Sequence, residues 1–371
     1  MLFTPIKSVL VTLLVALLVT EFAATEAHAT PANYVPEIVT DTTTLGGYNE
    51  LVPYVLRSPH QEDSGTCLYM SLTGIAEWWL ARLNPSMSRK PNGPLDLSER
   101  YLINASDSKK YTAHVVDWRT DSIQIFNETG QSVLNSHYPF TKGWYRLDGD
   151  GEVQPAAPHA TDSEYGVNIN WFDQLKTIRS GLVRLPRFKR EIIYADPEQN
   201  EWNVGLNPPN IVERVKSALR KNKAPIQVIY NHESVWHSVY LVGYDDERPN
   251  RNCGFVEGSI RYFGELVDEF TKSAAAAKTE KERKKYLKKA RIQAENQKKL
   301  TTSYRSAGGC RGQGVFYVRN SEFYGREGSY DYFTDSPDDA RPYAPSLLLL
   351  EYEWLEHLAN HIVQITVDES I

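Results

Sequence analysis

Helical periodicity comes early in this chain and strand periodicity late, and that order limits the fold more than any other feature. Across residues 64–83 the sequence turns apolar, with Leu68, Leu72, Ile75, Trp79, Leu80 and Leu83 at spacings near three to four. Such spacing predicts a buried helix. Ser64-Gly65-Thr66 supplies turn and cap chemistry just before it. A second helix is predicted over residues 211–219, with Val212, Val215 and Leu219 on one side and Lys221-Asn222 at its end. Strand-like runs follow at residues 225–230, 238–244 and 314–319, rich in β-branched and aromatic side chains. Helix first and sheet later predicts an α+β architecture. Residues 97–140 read as short helices and loops, and residues 141–163 as a surface excursion.

An insertion of about residues 258–307 separates the last two strands. Residues 274–277 and 278–299 are dominated by Ala, Glu, Lys, Arg and Gln, all strong helix formers, and predict two helices in an antiparallel hairpin. The second arm is strongly basic. It reads either as a solvated helical face or as an arm that docks a protein partner or limits access to a cleft. Cys253 and Cys310 flank the hairpin and are expected to pair. With three cysteines in the chain, Cys67 is then the free thiol. A bridge of this kind adds typically about 2–4 kcal/mol.

The N-terminus is read as a targeting segment. Lys7 precedes an apolar run over residues 9–19, and Ala27-His28-Ala29 forms a small-residue cleavage pattern. Residues 1–29 are therefore expected to be a signal peptide, too short in its apolar part to span a bilayer. An uncleaved anchor is the other reading. Secretion, or export to a periplasmic or lysosome-like compartment, suits a disulfide. The run Leu347-Leu348-Leu349-Leu350 is broken by Glu351, Glu353 and Glu356, so no stable membrane insertion is expected. Residues 340–371 read as a C-terminal extension. A net charge of −6 argues against nucleic acid as a partner. No cofactor and no metal is expected, because neither a Gly-rich phosphate loop nor a ligand-spaced His/Cys/Asp cluster stands out. Asn104-Ala105-Ser106 and Asn127-Glu128-Thr129 match the N-glycosylation triplet.

Four residues are candidates for chemistry. Cys67 would sit in the first turn of the predicted helix, where helix N–H groups favour a thiolate; a buried inert cysteine is the plain alternative. His237 opens the apolar run Ser238-Val239-Tyr240-Leu241-Val242 and could serve as its base, with His232, in the expected connecting loop, as nearest competitor. Asn320 ends the third strand run and could hold the imidazole in one tautomer. Gln61, six residues before Cys67, could donate to a developing oxyanion. Each has an ordinary structural reading as well: a core histidine, a strand-end asparagine, a loop glutamine.

Their conjunction in chain order resembles the papain-like cysteine peptidase family. Gln61 through Gly65-Thr66-Cys67 resembles its Q-x-x-x-G-S-C motif. Leu97-Ser98-Glu99-Arg100-Tyr101-Leu102 is similar to L-S-E-Q-x-L. Glu128-Thr129-Gly130 through Tyr138-Pro139-Phe140 is similar to E-N-G … Y-P-Y. Ala224-Pro225-Ile226-Gln227-Val228 resembles G-P-V-S-V, and His237 to Tyr244 resembles H-A-V-x-x-V-G-Y. Tyr317-Val318-Arg319-Asn320-Ser321 resembles I-K-N-S-W-G, with Gly328-Ser329-Tyr330 near the later G-Y.

The resemblance covers about residues 50–335 and implies a two-subdomain fold within residues 30–371. A helical part of about residues 50–165 would carry Cys67. An antiparallel β-rich part of about residues 166–345 would carry His237 and Asn320. The implied activity is hydrolysis of peptide bonds in protein or peptide substrates, through an acyl-enzyme thioester. Acyl transfer or ligation on the same fold, and a catalytically inactive binding module, are the other readings. The sequence departs from the family at Leu68 and Glu322, where tryptophan is usual; Phe323 or Tyr324 could substitute for the second. It also lacks the helical part's usual disulfides, and residues 30–67 are too few for the usual prosegment.

Overall fold

A seven-stranded, wholly antiparallel sheet carries the core of this α+β protein. The computed structural model describes residues 37–56, 67–88, 95–99, 101–102, 122–137, 146–147, 153–154, 178–196, 208–232, 235–250, 253–321 and 347–368. The first elements are β1 (Glu37–Val39), α1 (Cys67–Leu83), α2 (Ser122–Thr129), β2 (Gln131–Val133), β3 (Arg146–Leu147), β4 (Val153–Gln154), β5 (Leu182–Arg184) and β6 (Phe188–Ala195). There follow α3 (Ile211–Asn222), β7 (Ile226–His232), β8 (Val235–Pro249), α4 (Gly254–Ala276), α5 (Glu280–Ser306), β9 (Gln313–Arg319), β10 (Leu347–Glu351), α6 (Tyr352–Leu358) and β11 (Ala359–Val367). Strand order is β1-β10-β9-β8-β7-β11-β6, with two small ladders, β2-β5 and β3-β4, outside it.

The early helix and the first and third of the late strands stand close to their expected bounds, whereas the second, expected over residues 238–244, runs from Val235 to Pro249. α1 is buried, as expected, and on every side: each residue from Tyr69 to Ala81 is buried, Ser71, Thr73 and Glu77 included. Both of its central indoles find acceptors, Trp78 Nε1 on Leu51 O at 2.8 Å and Trp79 Nε1 on Ile365 O at 3.0 Å. The expected loop between the first two strands is a tight hairpin instead. β7 runs on to His232, which pairs with Val235, so His232 belongs to a strand and His237 lies two residues inside the next.

Residues 347–367, within the segment read as a C-terminal extension, belong to the main sheet: β10 pairs with β9, and β11 lies between β7 and β6. The glutamates that break the apolar run are themselves buried or half-buried and have partners. Glu351 accepts from the Phe255 N–H at 3.0 Å, in the first turn of α4, where helix N–H groups lack carbonyl partners. Glu353 accepts from Arg311 N and Nε at 2.8 and 2.9 Å, and Glu356 takes the same guanidinium in a fork at 3.2 and 2.8 Å.

The insertion is an antiparallel helical hairpin. Gln297 Nε2 donates to Ile260 O at 3.1 Å, Tyr304 Oη donates to Glu257 at 3.1 Å, and Lys289 covers the Phe270 ring. A capping box starts its second arm, with the Thr279 and Glu282 side chains each accepting the other's backbone N–H. The hairpin begins earlier than its sequence suggests. α4 opens immediately after Cys253, and Phe255, Val256 and Phe263 are core residues. Cys253 and Cys310 are bonded at the base, with Cα atoms 5.5 Å apart. Among the described residues, no helix is long and apolar enough to cross a membrane.

One glycosylation triplet has a structural role. Asn127 donates to Phe188 O at 2.9 Å and accepts from Phe188 N at 2.8 Å, tying α2 to the start of β6. Asn104 lies outside the described residues, as do residues 1–36 with the expected signal peptide.

The C-terminal elements also bury two neutral imidazoles. Burial pushes both His357 and His361 down to about 4. Below the ordinary histidine range the unfolded chain takes up these protons and the folded one does not, so stability falls as pH drops from about 6.5 toward about 4. Between about pH 7 and pH 5 each imidazole is expected to cost about 2 kcal/mol. Urea denaturation at both pH values checks this. His361→Gln should lose less stability on acidification than the parent, and an equal loss would contradict the assignment.

Candidate active site

Cys67 is the first residue of α1. It is half-exposed and not disulfide-bonded. The first N–H groups of a helix lack carbonyl partners and carry partial positive charge, so negative charge is favoured there.

His237 is the third residue of β8 and is buried. It pairs in register with Tyr230 on β7, and the two rings meet edge to face at 5.6 Å. Tyr230 in turn touches Trp354 at 5.0 Å and Phe255 at 6.2 Å, so the imidazole is backed by a column of aromatic rings. His237 Nε2 lies 2.5 Å from Asn320 Oδ1. The Ser321 N–H donates to the same atom at 2.8 Å, as suits an amide oxygen. An amide oxygen only accepts, so Nε2 carries a proton and Nδ1 is the basic nitrogen. Asn320 and Ser321 are themselves buried.

α1 is fastened to the strands that bear these two residues by a buried polar cluster that sequence reasoning missed. Ser71 Oγ and Ser238 Oγ are 2.7 Å apart, and Gln227 Nε2 donates to both, at 2.9 and 3.2 Å. Ser71 Oγ also donates to Leu68 O at 2.9 Å, so the shared hydroxyl proton comes from Ser238. Arg319, immediately before Asn320, is buried against the same helix. Its Nη1 donates to Met70 O at 2.8 Å, its Nη2 stands 3.8 Å from Glu77, and its guanidinium covers the Tyr240 ring. Glu77 accepts from the Leu97 N–H at 2.8 Å, which brings the Leu97-Ser98-Glu99 segment onto α1. The signals were present as isolated polar residues in apolar runs: Ser71 and Glu77 in the helix, Gln227 and Arg319 in strands.

These contacts fix a register. Ser71 meets Ser238, and Gly74 lies against Tyr240, so α1 and β8 advance in the same direction. Four residues back from Ser71 is about 6 Å of helix, or roughly two residues of strand. Cys67 therefore falls level with residues 236–237 of β8. Successive strand residues point to opposite sides; Ser238 faces α1, and His237 faces Tyr230. The β8–β9 ladder ends at the Tyr240–Arg319 pair, so β9 does not extend alongside residues 235–239.

Gln61 lies outside the described residues, as do Ser64, Gly65 and Thr66 before Cys67 and Glu322, Phe323 and Tyr324 after Ser321. Among the described residues no group of three or more His, Cys, Asp or Glu side chains is arranged to hold a metal ion. No protein-family model matches the chain, and no curated protein matches it.

Gly74 is where the docking of α1 is tightest. A Cβ there would stand 2.5 Å from Arg319 Nη1 and 2.8 Å from Tyr240 Cε1. Gly74→Ala should gain about 1 kcal/mol of helix propensity yet lower stability overall, because overpacking costs about 1–3 kcal/mol. A urea midpoint equal to or above that of the parent would show that Arg319 yields easily.

Proposed function

We propose that this protein is a secreted or otherwise exported cysteine peptidase of papain-like, two-subdomain architecture. Cys67 is its nucleophile, His237 its base, Asn320 the residue that orients the base, and Gln61 a donor to the oxyanion. The observation that carries this reading is the 2.5 Å contact between His237 Nε2 and Asn320 Oδ1, at the strand level where α1 begins. It leaves Nδ1 as the proton acceptor. The reading requires the Cys67 thiol to reach Nδ1 past the end of β9.

The chemistry follows from those roles. Nδ1 takes the thiol proton, and the thiolate attacks the carbonyl carbon of a peptide bond. The resulting oxyanion is met by the Cys67 N–H and the Gln61 amide, donors worth about 2.7–4 kcal/mol each in the transition state. Collapse breaks the C–N bond, the imidazolium gives its proton to the leaving amine, and a thioester remains. Water then attacks the thioester, His237 takes its proton, and the carboxylic product leaves as the thiol is restored. Asn320 keeps Nε2 protonated throughout and stabilises the imidazolium. The Cys253–Cys310 bond and the apolar N-terminal run support export, because disulfides persist in oxidising compartments.

Cleavage of a peptide library by the parent, Cys67→Ala and His237→Ala is the direct test. Cys67→Ala should abolish turnover, and His237→Ala should lower it by roughly 10²-fold or more. A thiol-directed epoxide should label the parent near neutral pH and leave Cys67→Ala unlabelled. Equal turnover by the parent and Cys67→Ala would overturn the proposal.

A further inference from the structure

We infer that the outward face of α5 is a docking surface for an acidic polypeptide. α5 holds ten Lys or Arg and three Glu, a surplus of seven positive charges; the whole chain is at −6, so the remainder sums to −13. Charge segregated this strongly onto one helix steers an acidic partner to the arm and away from the body.

The arm is built to be reached. From Glu280 to Lys289 every residue of α5 is exposed except Tyr286, which is half-buried. The buried positions Ala290, Gln293, Asn296, Leu300 and Tyr304 form the stripe turned toward the rest of the protein. On the opposite side Lys281, Lys284, Lys288, Arg291 and Lys298 recur at helical spacing over about 26 Å. Two of the three glutamates offset part of this charge, Glu280 beside Arg283 and Lys284, and Glu295 beside Arg291. The disulfide ties the base of the hairpin, so the arm is presented on a fixed stem.

The composition of the face selects among polyanions. Leu287 is 42% exposed and Ile292 36% exposed among the cations. Two aliphatic side chains are too little apolar surface for a helix to lie in a lipid interface. Glu295 within the basic row opposes a dense phosphate or sulfate polymer, whose closely spaced charges cannot skip it. Carboxylates interspersed with an apolar side chain, as on an acidic polypeptide, match cations interspersed with Leu287. This surface does not depend on the chemistry at Cys67.

The test uses the full chain and fluorescein-labelled poly-L-glutamate, with anisotropy read at about 50 mM salt and again at about 300 mM. Binding should weaken at least about tenfold with salt, and by a similar factor in Lys284→Glu/Lys288→Glu/Arg291→Glu. Circular dichroism checks that the variant is folded. Should the reversal unwind α5, Lys284→Gln/Lys288→Gln/Arg291→Gln is read instead and should also weaken binding. No binding to poly-L-glutamate, or equal binding by parent and folded variant, overturns the inference. So does tighter binding to a heparin fragment or to phosphatidylserine vesicles, which would assign the face to a different partner.

Discussion

The docking of α1 on the sheet runs through buried polar atoms as well as apolar contact, and the candidate site depends on it. Ser71, Gln227 and Ser238 form a satisfied cluster of hydroxyls and an amide. Arg319 adds a guanidinium held by a helix carbonyl, a carboxylate and an aromatic face. Apolar packing alone tolerates sliding; directional hydrogen bonds do not. A shift of the helix by one turn would strand several of these groups, at about 1–3 kcal/mol for each one left without a partner. The cluster therefore sets the level at which Cys67 stands relative to His237. It also ties that level to Asn320, because Arg319 is its neighbour in the chain.

How far the sequence discloses this arrangement varies along the chain. The helix at Cys67 and three strands were legible, read at 225–230, 238–244 and 314–319 though the second runs from Val235 to Pro249, because apolar spacing and β-branched content reflect local burial. The polar cluster was not. Ser71 and Gln227 are 156 positions apart, and nothing local to either announces a partner. The C-terminal strands were harder to read for a related reason. Glu351, Glu353 and Glu356 look like solvated charges until Phe255 and Arg311 arrive from distant segments to meet them. β11 was hidden in a similar way: Asn360, His361 and Gln364 interrupt its apolar residues, although all three are buried.

The hairpin joins two behaviours in one element. Its base belongs to the core, where Phe255 touches Tyr230 and so stands one ring away from His237. Its far half contributes little to that core and carries most of the exposed cations. The disulfide lies at the root of the hairpin, where Cys253 precedes α4 and Cys310 precedes β9. The covalent tie holds the first turn of α4 and the approach to β9 together, next to the aromatic column behind the imidazole.

The position of β11 between β7 and β6 has a consequence for the order of assembly. β6 lies midway along the chain, yet in the main sheet its neighbour is β11, made more than 160 residues later. Trp79 of α1 likewise waits for Ile365. The main sheet therefore stays incomplete until β11 has been made, and long-range pairings of this kind are slow to form. Until then β6 and β7 keep open edges, the kind of surface through which partly made chains aggregate.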